Sequence, residues 1–233
     1  MAKVVIFTGA GLSAESGIDT FRDSGGIWEK HNIDDVCTKG CLDTNRDETI
    51  KFYDMLRTGL ENKEPNHAHK VIAQLKQKYP DDISIITQNV DDLFEKAGCK
   101  DVIHVHGELK KIECISCNYQ EDIGYVAQNE AWQSCPMCKK DLRPYVVFYN
   151  EPAPLYQDMF LELANCEFLV VIGTSGATLC VDLMLGKNIE YTILNNLEKS
   201  VSIDHKKFDK VLFKNATRAI DEIAKDIEIF LET

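Results

Sequence analysis

A chain of 233 residues buries one large core, or one core with a small satellite, and is too short for two full-sized domains. Its 26 Lys and Arg stand against 38 Asp and Glu, and the net charge of −12 disfavours a polyanionic partner because no surplus of cations is available to replace phosphate counterions. Hydrophobic residues at 44% and charged residues at 27% argue against disorder, and no apolar run approaches the roughly 18 residues of a membrane span.

Met1-Ala2-Lys3 leads directly into a β-branched run with no stretch of secretory-signal length, so a cytoplasmic location is expected. In that reducing setting the nine cysteines are expected as thiols or metal ligands. Val4 to Thr8 reads as a strand, and Gly9, Gly11 and Ala14 follow it as Gly-x-Gly-x-x-Ala. One small residue permits a tight turn, one lets backbone approach a pyrophosphate, and one lets the next helix lie close to its strand. Amides at that helix start would face the phosphates. The fingerprint alone is weak, since a Gly-rich turn that holds nothing has the same spacing.

Ile18 to Trp28 mixes Gly, Ser and Asp with isolated aromatics and reads as a loop that moves. Arg22 within it either clamps phosphate or makes a surface salt bridge. From Asn32 to about Leu60 the pattern is broken and helical. Asp34 and Asp35 lie at the right distance for ribose ligands but in no strand, so the region reads as a helical insertion. Val71, Ile72, Leu75 and Tyr79 share a helix face, opened by Pro65-Asn66 and closed by Pro80. His67 and His69 at its start are assigned to helix-end hydrogen bonding in preference to metal or catalysis.

Ile83 to Thr87 is the next buried strand, and Gln88-Asn89-Val90-Asp91-Asp92 follows its carboxyl end, where open α/β sheets bind ligands. A short helix follows over Leu93 to Ala97. Val102 to His106 reads as a strand whose alternation puts His104 and His106 on one face. His106, beside Gly107, is the candidate acid or base, with a structural histidine as the alternative. Cys114-x-x-Cys117 and Cys135-x-x-Cys138 offer four thiolates to one tetrahedral zinc ion, a closed shell whose role is structural. Cys37, Cys41, Cys99, Cys166 and Cys180 read as free, mostly buried thiols.

Tyr145 to Tyr149, Phe168 to Ile172, Tyr191 to Leu194 and Lys210 to Phe213 read as further strands. Gly173-Thr174-Ser175-Gly176 follows the second of these. Asn195-Asn196-Leu197-Glu198 follows the third and supplies the acidic ribose partner missing earlier. Ile220, Ile223, Ile227 and Leu231 line a closing helix, with Thr217 as its cap.

Together these residues resemble the sirtuins, the NAD-dependent protein deacylases. The resemblance is carried, in the family's order, by Gly9 through Asp23, Gln88-Asn89-Val90-Asp91, His106-Gly107, the two Cys-x-x-Cys units, Gly173-Thr174-Ser175 and Asn196-Leu197-Glu198. It implies an α/β fold: a Rossmann-like parallel-sheet domain (1–30, 80–110 and 143–233) with an inserted small zinc-binding lobe (111–142) and a helical insertion (31–79). NAD, as a consumed cosubstrate, and an acyl-lysine protein or peptide would meet in the cleft between them, with neither nucleic acid nor membrane as a partner. Nicotinamide leaves, the acyl oxygen captures C1′ of the ribose, His106 acts as base on a ribose hydroxyl, and water completes the reaction. The products are free lysine, nicotinamide and O-acyl-ADP-ribose.

By the same resemblance Asn89 positions ribose and water, and Asp91 the nicotinamide carboxamide. Gln88 and Ser175 contact ribose or phosphate, and Asn196 and Glu198 hold the adenosine end. Gly9, Ala10, Gly11 and Ser13 form the phosphate loop, flanked by Gly173 and Thr174, while Phe21 and Arg22 ride the mobile cofactor loop. Val146, Val147, Phe148 and Tyr149 resemble the strand that sandwiches substrate backbone.

The chain departs from the family at Asp19, where proline is usual, at Phe94, where histidine is common, after Ser175, and at Tyr149-Asn150 in place of Phe-Gly. Family members that remove dicarboxylic acyl groups carry Tyr and Arg three residues apart. Here Tyr53 and Arg57 are four apart, on one helical face, and Leu56 holds the matching position. Deacetylation, or removal of another uncharged acyl group, is therefore favoured over desuccinylation or demalonylation through Tyr53 and Arg57, with Arg57 otherwise a solvated helix charge. A protein ADP-ribosyltransferase built on the same site is the remaining enzymatic alternative. Nothing in the sequence sets the oligomeric state.

Overall fold

A computed structural model of the protein describes residues 2–20, 27, 31–128 and 132–233. The expectations for Phe21 and Arg22 lie outside the described residues. Among those described, the chain runs β1 (Val4–Thr8), α1 (Ile33–Val36), α2 (Cys41–Thr44), α3 (Arg46–Gly59), α4 (His67–Lys78), β2 (Ile83–Thr87), α5 (Leu93–Lys96) and β3 (Ile103–His104). It continues through β4 (Gly107–Cys114), β5 (Gln120–Asp122), β6 (Leu142–Val146), α6 (Tyr156–Leu163), β7 (Phe168–Ile172), β8 (Tyr191–Asn196), β9 (Lys210–Phe213) and α7 (Ala216–Glu232).

Six strands form one sheet in the order β3-β2-β1-β7-β8-β9, with every pair parallel. All five residues of each of β1, β2 and β7 are buried, because apolar layers cover both faces of the sheet. Val4 and Ile6 join the layer made with α4 and α7, while Val5 and Phe7 join the layer that includes Met159 and Leu163 of α6. The order reverses at β1, so the carboxyl ends of β1 and β7 flank the crevice where such sheets bind ligands.

Several elements differ from the sequence expectation. The strand expected over 145–149 is β6, and it pairs antiparallel with β4 in a separate three-stranded sheet, β5-β4-β6. The chain turns out of the parallel sheet at Gly107, whose φ of 87° and close approach to Tyr145 O leave no space for a Cβ. That turn also ends β3 at His104, so the alternation does not carry through to His106. Two 3₁₀ turns, Ala10–Leu12 and Ala14–Ser16, take the place of the α-helix expected after the first strand. Thr217 does not cap α7 with its own hydroxyl: its amide and hydroxyl both donate to the Glu15 carboxylate, at 3.1 and 2.7 Å. An acidic group there favours the positive end of the helix and ties the opening turns to α7.

Asn66 accepts from the amides of Ala68 and His69, which takes the helix-end role from the two histidines. His67 instead meets Asp221 at 2.8 Å. His69 is fully buried and lies edge-on to Phe94, with ring centroids 5.1 Å apart. Neither of its ring nitrogens has a hydrogen-bond partner among the described residues. Burial pushes its pKa down to about 4. The folded state thus resists a proton that the unfolded chain accepts near pH 6.5, and stability is full above that pH and is lost as pH falls toward 4. A shift of this size corresponds to about 3 kcal/mol. The urea midpoint is expected to fall across this window, and His69→Phe to flatten the fall. An equal slope in the variant would refute the assignment.

Candidate active site

Four strand ends converge on the crevice. Gly9 N donates to Ile172 O at 3.0 Å and Gly11 N to Gly173 O at 2.8 Å. A Cβ on Gly9 would lie 2.7 Å from Gly173 O, and one on Gly11 2.8 Å from Gly173 Cα. These two glycines are therefore required by the contact between the β1 and β7 loops, and their amides bond to β7 and its loop instead of pointing at a ligand. Gln88 Nε2 donates to Thr174 Oγ1 at 2.8 Å, and Asn196 Nδ2 donates to Thr174 O at 2.9 Å, so the loops after β2 and β8 are tied to the same point.

A cleft of about 980 Å³ opens above this junction. The β1 loop contributes Gly9, Ala10 and Gly11, the β2 end Gln88 and Asn89, the β7 loop Gly173, Thr174 and Ser175, and the β8 end Asn196 and Glu198. Val146, Val147, Phe148 and Tyr149 form the wall beyond β6. Ser13 and Asp91 lie beneath the cleft. Asn89 Nδ2 donates to Gly9 O at 3.1 Å and to Ser13 Oγ at 3.0 Å, Ser13 Oγ donates to Asp91 Oδ2 at 2.8 Å, and Leu93 N donates to Asp91 Oδ1 at 3.1 Å. Burial raises the Asp91 pKa above the ordinary carboxylate value, against the lowering effect of Ser13 and the Leu93 amide. The chain locks Asn89 and Asp91 through hydrogen bonds in a buried layer, which holds their orientation.

His106 stands just past β3, half-buried in the cleft wall. Its Nδ1 is 3.2 Å from Gln88 O and its Nε2 is 3.0 Å from Tyr156 Oη. His104 turns elsewhere, to Asn89 O at 2.9 Å and to Glu95 at 3.1 Å. Tyr156 opens α6, and no sequence pattern brings it beside His106, because that contact joins residues 50 positions apart.

The helical insertion closes the apolar end with Cys37, Phe52, Tyr53 and Leu56. Tyr53 stacks on Phe148, with ring centroids 5.2 Å apart and planes 9° from parallel, and its hydroxyl donates to Cys37 Sγ at 3.1 Å. Burial holds the Tyr53 phenol well above its ordinary pKa and pushes the Cys37 thiol up to about 11. Arg57 requires a correction. It is wholly buried, its guanidinium is paired with Asp54, and its Nε donates to Leu109 O at 2.5 Å. It is neither in the cleft nor a solvated charge. One helical face is wide enough for Tyr53 to look into the cleft while Arg57 enters the contact between α3 and β4.

Asn150 adopts φ = 66°, the left-handed conformation that a family glycine would fill and that Asn tolerates better than most side chains. Beside it, Tyr149 N donates to Cys37 O at 2.8 Å and Lys39 N to Tyr149 O at 2.9 Å, fastening the wall to the insertion.

The sulfurs of Cys114, Cys117, Cys135 and Cys138 all lie within 4.8 Å of one another, with Cys114–Cys138 at 3.4 Å and Cys117–Cys135 at 3.7 Å. A tetrahedral ion with Zn–S bonds of about 2.3 Å needs sulfurs about 3.8 Å apart, so the set fits zinc. Around it Ile112, Ile123 and Leu142 form a small buried cluster. The other five cysteines are free, four of them buried and Cys180 exposed. Among the described residues no helix is long and apolar enough to cross a membrane.

The Sir2 family model matches residues 9–179. A protein of Campylobacter jejuni named NAD-dependent protein deacylase is 44% identical over 233 residues, covering 100% of this chain and 98% of its own. A Helicobacter hepaticus protein of the same name is 41% identical, covering 99% of each chain. The crystal structure of a Sir2 homolog–NAD complex superposes with a TM-score of 0.85 at 29% identity, over 98% of this chain and 90% of that one. On the strength of the family match and of relatives that align over nearly their full length, this chain belongs to the Sir2 family.

Proposed function

We propose that this protein is an NAD-dependent protein lysine deacylase that acts on acyl-lysine proteins or peptides, with acetyl and other uncharged acyl groups as its preferred cargo. The observation that carries this reading is that His106 lines one cleft together with the glycine loops of β1 and β7 and the apolar side chains of Tyr53, Leu56 and Phe148. The deacylase names of the Campylobacter and Helicobacter relatives support it.

In this reading Gly9, Ala10, Gly11, Ser13, Gly173, Thr174 and Ser175 shape the phosphate and ribose end for NAD. Phe21 and Arg22 complete it, while Gln88 contacts ribose, and Asn196 and Glu198 hold the adenosine. Asn89 orients ribose and water, Asp91 orients the nicotinamide amide, and His106 takes a proton from a ribose hydroxyl. Val146 to Tyr149 pair with substrate backbone. Zinc, held by Cys114, Cys117, Cys135 and Cys138, stabilises the lobe of residues 111–142. The Rossmann-like parts 1–30, 80–110 and 143–233, the helical insertion 31–79 and a cytoplasmic location belong to the same proposal.

Among the described residues that wall the acyl end, none is a cation: Leu56 occupies the place that a carboxylate-reading arginine would need, and Arg57 is held by Asp54. A dicarboxylic chain would bury its charge there without a partner. The test is to incubate protein and NAD with acetyl-, succinyl- and longer acyl-lysine peptides and to follow free lysine by mass. Acetyl or longer uncharged substrates are expected to lead. Faster succinyl removal would overturn the acyl assignment, and acyl-independent nicotinamide release with ADP-ribose on protein would favour the transferase alternative. Leu56→Arg is expected to raise the succinyl-to-acetyl rate ratio about tenfold or more, the weight of one charge-assisted hydrogen bond. An unchanged ratio in the folded variant would count against this placement of Leu56.

A further inference from the structure

The deacylase reading gives no role to the cleft side chain that touches His106. Tyr156, at the first position of α6, lines the cleft with its hydroxyl 3.0 Å from His106 Nε2 and its ring tilted 47° to the imidazole. A carbonyl only accepts, so the contact with Gln88 O places the imidazole proton on Nδ1 and leaves the lone pair on Nε2. Tyr156 O–H then donates to that lone pair.

We propose that Tyr156 relays the proton to His106: its hydroxyl occupies the one lone pair of Nε2 and passes its proton there as it takes one from a substrate hydroxyl in the cleft. The step balances within the pair. The substrate hydroxyl gives a proton to the Tyr156 oxygen as the Tyr156 O–H proton passes to Nε2, so Tyr156 ends neutral, with an oxygen lone pair facing the imidazolium N–H. The charged ring gains the stronger of the two hydrogen bonds, so Tyr156 favours the protonated state that the base must reach.

The ring is built to do this without wandering. It packs against the apolar layer that contains Met159 and Leu163 of the same helix, and Tyr156 N bonds to Ala153 O at 3.2 Å. Burial raises the Tyr156 pKa above the ordinary phenol value, so Tyr156 is a neutral phenol before and after the step. Gln88 acts from the other side of the imidazole, so the ring is pinned at both nitrogens by separate elements of the fold.

This inference rests on His106 being the base that acts after nicotinamide has left, and the experiment separates the two steps. Exchange of labelled nicotinamide into NAD, in the presence of acetyl peptide, reads the early step, and O-acyl-ADP-ribose formation reads the late one. In Tyr156→Phe, exchange and the KM for peptide are expected within about twofold of wild type, while kcat for deacylation falls about tenfold. Tyr156→Ala, which also loses the ring, is expected to show no smaller fall in kcat. Wild-type kcat in Tyr156→Phe, or an equal fall in exchange and deacylation, would overturn the role. Full deacylation by His106→Ala would instead remove the base on which the role depends.

Discussion

His106→Ala is expected to lower acyl-lysine turnover by about 10²- to 10⁴-fold, the usual weight of a positioned general base, while nicotinamide exchange remains measurable. The expectation follows from where the ring sits. It is half-buried and held at Nδ1 by Gln88 O, and its Nε2 faces a cleft formed by four strand ends. Removing it leaves the loops of β1 and β7 intact, because the bonds from Gly9 and Gly11 to β7 and its loop do not involve His106. Binding of NAD is therefore expected to survive, as read by calorimetry, and loss of binding in step with loss of turnover would assign His106 to structure. A variant with undiminished turnover would sink the base assignment.

Arg57→Ala is expected to destabilise the fold by about 3–5 kcal/mol, the cost of removing one partner from a buried ion pair. Arg57 has no exposed surface, Asp54 beside it also accepts from Gln128 N at 2.7 Å, and Arg57 Nε caps Leu109 O. Three segments, α3, β4 and the chain around Gln128, are joined through this pair. The variant should lose activity on acetyl and succinyl peptides alike, through a lower melting midpoint. Selective loss of succinyl activity at wild-type stability would restore Arg57 to the acyl pocket. Burial also lowers the Arg57 pKa, with Asp54 opposing the shift, and the guanidinium that stays charged in the core has that carboxylate as its ion-pair partner.

Periodicity made the central elements legible. β1, β2, β7 and β8 are short apolar runs with Gly9, Gln88-Asn89, Gly173 and Asn195-Asn196 at their carboxyl ends, the pattern of a parallel sheet with both faces buried. The four cysteines were equally legible, since two knuckle spacings meet the coordination demand of one ion whatever surrounds them. β5 and α6 were not. β5 is three exposed polar residues paired only at the edge of the small sheet, and α6 is brief, with Pro152 and Pro154 just before it and mostly exposed or half-exposed side chains. β5 has no apolar alternation, and in α6 the helical spacing of Tyr156, Met159 and Leu163 is blurred by Phe160 and Leu161 on other faces.

The opening loop shows the same division at finer grain. Its glycines were legible as a place of close backbone approach, but the approaching group is the Gly173 loop, and only the strand order makes that loop a neighbour. Likewise, positions three and four residues apart share a helical face, so spacing alone leaves open whether Leu56 or Arg57 looks into the cleft. The docking of α3 on β4 decides it, sending Arg57 to Asp54 and Leu109 and leaving Leu56 at the wall.

By itself the sequence determined the parallel sheet, the polar strand ends that line the cleft, the four-cysteine set and His106 as a candidate base, because these depend on residue type and on spacing along one segment. Only the tertiary structure decided that Arg57 is a core ion pair, that Ser13 and Asp91 lie beneath the cleft, and that Tyr156 meets His106. Those three are contacts between residues 3 to 78 positions apart, and they depend on how helices and loops settle against one another after the strands have paired.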